Sequence, residues 1–109
     1  MTATYHNFES NGWFKRTLSN QLANVGSEFA RAFRAKKNNN PTRFEPAFHR
    51  FLELINATLI DPRWTGHRKR EIARLKENIV DHLYDKDSDI SKIEALDRYF
   101  YYLALSQKP

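Results

Sequence analysis

A chain of 109 residues has room for one hydrophobic core and little for a second, so a single domain is expected. The absence of cysteine removes disulfides, thiolate metal sites and cysteine nucleophiles together. Eighteen Lys and Arg against thirteen Asp and Glu leave a charge of +5, and neither a membrane-length apolar run nor the order of a secretion signal is present, so a cytoplasmic protein without a membrane span is expected.

Residues 1–12 lack a periodic apolar pattern and read as a loosely ordered arm. From Trp13, the residues Phe14, Leu18, Leu22, Val25, Phe29 and Phe33 or Ala32 keep one helical stripe for about six turns, which ends at KKNNNP. Gly26 interrupts this first helix; it either lets another helix approach closely or marks a kink or a start at Ser27. The second helix opens at Thr42 and Glu45, spaced as a capping box, and carries Phe44, Phe48, Phe51 or Leu52, Ile55 and Leu59 to the stop at Asp61-Pro62. Pro46 sits awkwardly for that cap and argues for a start a residue or two later.

The third helix takes Ile72, Leu75, Ile79 and Leu83 inward, with Trp64 covering its base and Arg70, Glu71, Arg74 and Glu77 outside. After the turn YDKDSD, Ser91 and Glu94 form a second capping-box spacing, followed by the stripe Ile93, Leu96, Phe100 and Leu103. The fold expected is therefore all-α, a four-helix bundle or a closely related helical array, in one domain spanning 1–109.

The charge is uneven. Residues 1–80 carry fourteen basic and seven acidic side chains, while 81–109 carry four and six. Arg34, Lys36 and Lys37 close the first helix, where cations suit the negative end of its dipole and need no ligand. The third helix reverses that rule. DPRWTGHRKR places Arg63, His67, Arg68, Lys69 and Arg70 around a helix start, with Thr65 as its cap, where acids are preferred and an anion would be welcome. A solvated basic surface is the plainer reading of the same residues. The functional expectation is a non-enzymatic binding module with this corner for RNA, DNA or an acidic protein.

Helix four carries Tyr99, Phe100, Tyr101 and Tyr102 in sequence, and four consecutive residues point around the whole helix. Tyr99, Tyr101 and Tyr102 are candidates for an interface in a homodimer. DKDSD at 85–89 has the alternating acids of a calcium loop, yet Ile90 stands in place of the required glycine and Leu96 in place of the bidentate glutamate. Asp87, Ser88 and Asp89 read better as a cap for the fourth helix, and Asp81, His82 and Asp85 as polar surface. No metal or cofactor is expected.

Two resemblances bear on this reading. Arg43 and His49 are similar in spacing to the Arg and His of small helical ribonucleases of the HEPN superfamily, in which paired subunits act on RNA. That resemblance implies Arg43 as phosphate binder and His49 as acid or base, although Phe44 stands where that family usually has a polar residue. ANVGSEFARAF, FEPAFHRFLELINATLIDPR and REIARLKENIVDHLYD, about two thirds of the chain, resemble a group of small uncharacterised prokaryotic helical proteins. This likeness implies one helical unit and assigns no functional residue. A structural adaptor with no ligand at the corner is the third alternative.

Overall fold

The computed structural model describes residues 12–85 and 89–106. A single 3-10 turn, Trp13–Lys15, precedes four helices: α1 (Leu18–Lys37), α2 (Pro41–Leu59), α3 (Gly66–Tyr84) and α4 (Ile90–Ser106). No strand occurs among the described residues, and the expected all-α four-helix bundle is what the chain forms. The arm expected over 1–12 lies, apart from Gly12, outside the described residues.

The helix starts differ from those the sequence suggests, each for a local reason. The first helix does not run from Trp13, because Arg16 and Thr17 are extended; Thr17 Oγ1 accepts from the amide of Asn20 at 3.1 Å and starts α1 at Leu18. The cap of α2 is Asn40, whose Oδ1 accepts from the Arg43 amide at 3.2 Å, with Pro41 in the first turn, where a missing N–H costs nothing. Thr42 is thus already helical and its capping box is not formed. Pro46 lies inside α2, so the carbonyl of Thr42 loses its helical donor while the helix continues to Leu59. At α4 the cap is Asp89 rather than Ser91: its Oδ1 accepts from the Ser91 amide at 2.9 Å and from the Ser91 hydroxyl at 2.8 Å. Asp87 and Ser88 lie outside the described residues.

α1 is the central helix, packed along both α2 and α4, whereas α3 lies against α4 and α2. The stripes predicted from periodicity meet here. Leu22, Val25, Phe29, Phe51, Ile55, Ile79 and Ile93 are fully buried, and both Ala32 and Phe33 face inward. Phe29 sits among Phe33, Phe51 and Phe100 at ring-centre distances of 6.2, 6.2 and 6.4 Å. α1 runs unbroken through Gly26 and does not start at Ser27. A Cβ at Gly26 would lie 2.9 Å from Cε1 of Phe100, so the missing side chain is what lets α4 close on α1. The Ser19 hydroxyl then donates to the Ala104 carbonyl at 2.8 Å across the same contact.

Side chains also tie the helix ends together. Lys36 Nζ donates to the carbonyls of Leu83 and Asp85 at 2.9 and 2.8 Å, which satisfies the C-terminal end of α3 with a cation. Among the described residues no helix is long and apolar enough to cross a membrane.

Candidate anion-binding corner

The loop between α2 and α3 begins at Asp61, which is 1% exposed. A buried carboxylate must be paired, and this one is paired twice over. Arg63 approaches it bidentately, Nε to Oδ1 at 3.0 Å and Nη2 to Oδ2 at 2.7 Å, and the Arg63 amide donates to Oδ1 at 3.1 Å. Gln21, fully buried on α1, gives its amide hydrogens to Asp61 Oδ2 at 2.9 Å and to the Trp13 carbonyl at 2.8 Å. Its oxygen accepts from Trp64 Nε1 at 2.8 Å. Burial raises the Asp61 carboxyl, but the hydrogen bonds from Arg63 and Gln21 outweigh it and hold the group below its ordinary value.

Arg63 is therefore withdrawn from the corner the sequence suggests. Nη2 also donates to the Arg16 carbonyl at 2.7 Å, and the guanidinium lies over the Trp64 ring at 4.3 Å. The job of this arginine is to join the segment before α1 to the α2–α3 loop.

Beyond Trp64 the character changes. Gly66 adopts φ +60, a conformation that disfavours any side chain, and turns the chain into α3. Thr65 holds the cap position with no side-chain cap bond, and the first turn of α3 contains no acid. His67, Arg68, Lys69 and Arg70 are all exposed. None of them is ion-paired among the described residues. Arg68 is steadied at 5.8 Å from the Trp64 ring.

Arg70 leads into a groove of about 340 Å³ between α3 and α4, whose lining includes His67, Arg70, Arg74, Leu75, Leu96 and Tyr99. Arg74 is exposed and likewise free of an ion pair among the described residues. The Tyr99 hydroxyl donates to Glu71 Oε2 at 3.1 Å. Burial raises the Tyr99 phenol above its ordinary value and Glu71 adds to this, while the Arg74 charge opposes it.

Other candidates are placed apart. Three of the four cations of α1 have partners: Arg31 bonds Glu28 at 3.4 Å, Lys36 holds the end of α3, and Lys37 lies 4.7 Å from the Phe33 ring, while exposed Arg34 lines a pocket with Glu94, Asp97 and Arg98. Arg43 lines a groove between α1 and α2 with Arg31 and Arg50. His49 is absent from that lining; its Nε2 lies 3.5 Å from Glu45 Oε1. Six residues along a helix place Arg43 and His49 roughly 120° apart, so one chain does not bring them together on one face.

The tyrosines divide as well. Tyr99 faces α3, whereas Tyr101, 62% exposed, borders an apolar groove of about 370 Å³ against α1 together with Leu105. Tyr102 is 65% exposed, with its ring centre 5.9 Å from that of Tyr101. Among the described residues no group of three His, Asp or Glu side chains is arranged to hold a metal.

Sequence reading missed Gln21, Arg74 and Tyr99 in these roles. Gln21 adjoins Leu22 at the edge of the apolar stripe, and a polar residue there gives no sign of which partner it meets. The class defined by fold and site is a four-helix bundle with a cationic helix mouth. Compared with protein-family models, with curated proteins and with solved structures, the chain matches none.

Proposed function

We propose that the protein is a non-enzymatic cytoplasmic binding module whose α3 mouth receives an anionic partner. The observation that carries this reading is the group Arg68, Lys69, Arg70 and Arg74: four exposed cations on the first turns of one helix, with no carboxylate paired to any of them among the described residues. The first of these stand at the positive end of the helix dipole, where they repel both the dipole and one another unless an anion lies between. Free amides of the uncapped first turn add donors to the same place. Arg63, which the sequence places in the same corner as His67, Arg68, Lys69 and Arg70, supports the loop rather than the ligand.

Chromatography on immobilised heparin tests the proposal. The triple variant Arg68→Glu, Lys69→Glu, Arg70→Glu is expected to elute near the void at a salt concentration that retains the wild type, with unchanged circular dichroism. Equal retention of the two proteins rejects the proposal.

A second reading concerns assembly and has its own observation. The groove between α1 and α4 is lined by Leu22, Ala23, Gly26, Phe100, Ala104 and Leu105 and contains no Lys or Arg, in a chain that is otherwise basic. Exposed Tyr101 and Leu105 stand beside a trough of small residues on the same face, an arrangement in which a second copy related by a two-fold axis can exchange ridge for trough. A homodimer through this face predicts that Leu105→Glu halves the mass measured by light scattering. A wild type that is already monomeric at high concentration contradicts it.

A further inference from the structure

The groove between α3 and α4 continues the charged mouth but differs from it in chemistry. Its lining is mixed: Leu75, buried, and Leu96, partly so, lie beside Glu71 and Asn78, and one side carries the ring of Tyr99, 46% exposed. Arg70 and Arg74 stand one turn apart on the same helix face, two like charges at a spacing that destabilises a helix in the absence of a counter-ion. We propose that this groove holds one nucleotide of an unpaired strand. Its base lies against Leu75, Leu96 and the Tyr99 ring, and the phosphates on either side of it meet Arg70 and Arg74. The inference rests on the polyanion reading of the α3 mouth and names the class of polyanion.

The groove's chemistry favours a single nucleic-acid strand over an acidic protein. The aromatic ring and the two leucines match the face of a base, which gains by stacking, whereas a carboxylate side chain would be desolvated there. The Tyr99 ring is set in advance by its hydroxyl bond to Glu71, so little ordering accompanies binding. Glu71, in the same lining, repels carboxylate and phosphate alike, but its acceptor capacity can be used by the amino group of a base and not by a carboxylate side chain. A duplex keeps its base faces stacked inside and can use only the charged rim. The volume, about 340 Å³, suits one nucleotide-sized occupant.

Fluorescence anisotropy at low salt with a labelled eight-nucleotide RNA, the DNA of the same sequence, an RNA duplex and a polyglutamate peptide tests the proposal. Tyr99→Leu is expected to weaken single-strand binding about tenfold while changing duplex and heparin binding less than about twofold. Tyr99→Phe, which keeps the ring, should stay within about threefold of wild type, and both variants should melt cooperatively, since the side chain is exposed. Arg74→Gln should weaken every polyanion by several fold. A preference for the RNA or for the DNA strand supports the site and names the strand that fills it.

If Tyr99→Leu binds single strands as the wild type does while Lys69→Glu does not, the groove is wrong and the charged mouth stands. If polyglutamate competes as well as RNA, the ligand is an acidic protein and the proposal is overturned. If the wild type binds neither RNA nor heparin, the parent reading falls with it.

Discussion

Asp61–Trp64 and Arg68–Arg74 are separated by three residues and use the same side-chain types to opposite ends. In the first segment one arginine is matched to one buried carboxylate, which a buried amide also bonds, and that amide accepts from an indole. In the second, four cations share a helix start with no ion-pair partner among the described residues. A basic run is therefore not one feature. Burial decides: a charge beside an inaccessible carboxylate is consumed by the fold, and a charge on an exposed helix turn remains available for a ligand.

Four substitutions probe this contrast, in descending order of expected effect. Asp61→Ala should cost about 3 kcal/mol in urea unfolding, because it takes the carboxylate from Arg63 and leaves one hydrogen of the buried Gln21 amide without an acceptor. A loss below 1 kcal/mol would show that the loop network contributes little.

The same carboxylate sets an acid dependence. Its folded-state pKa is depressed, so its contribution is present above the unfolded value of about 3.9 and disappears as pH falls through the lower folded value. Asp61→Asn should therefore flatten the wild-type loss of stability below about pH 4 by up to about 1.4 kcal/mol per pH unit, a slope readable from melts at several acid pH values. Parallel curves for the two proteins would place the titrating group elsewhere.

At the junction of the two segments, Gly66→Ala should cost about 1 kcal/mol in the same melts, since φ +60 is unfavourable for alanine although space is open around it. No loss would mean that the entry to α3 relaxes freely. The smallest effect has the opposite sign. Lys69→Glu should stabilise the protein by about 0.5 kcal/mol through the helix dipole while weakening heparin binding. Such a gain, paired with a loss of affinity, is the mark of a residue kept for a ligand rather than for the fold.

The periodic part of this architecture was legible because Leu22, Val25, Phe29, Ile72, Leu75 and Ile79 repeat at helical spacing and all turn inward. Helix starts were less legible, since several capping residues compete within a few positions. Asn40 wins over Thr42 because Pro41 already fits the first turn, and Asp89 wins over Ser91 by accepting from it. The basic corner was visible as a charge pattern, but Arg63 left it for Asp61, only two residues before it, and for the Arg16 carbonyl, forty-seven residues away, and only the fold shows that this carboxylate is buried. Gln21 and Asp61 meet only once the helices have packed. Tyr99 joins Arg74 for the same reason: periodicity places each on its own helix, and only the approach of α3 to α4 makes a groove of them.

The salt dependence of single-stranded RNA binding tests the claim of an open cationic mouth most directly. With Arg68, Lys69, Arg70 and Arg74 each meeting a phosphate, the logarithm of the association constant should fall against the logarithm of salt concentration with a slope of roughly −3, and the slope should shrink toward −1 in the triple charge reversal at 68–70. A wild-type slope near zero, or one that the reversal leaves unchanged, would contradict the account.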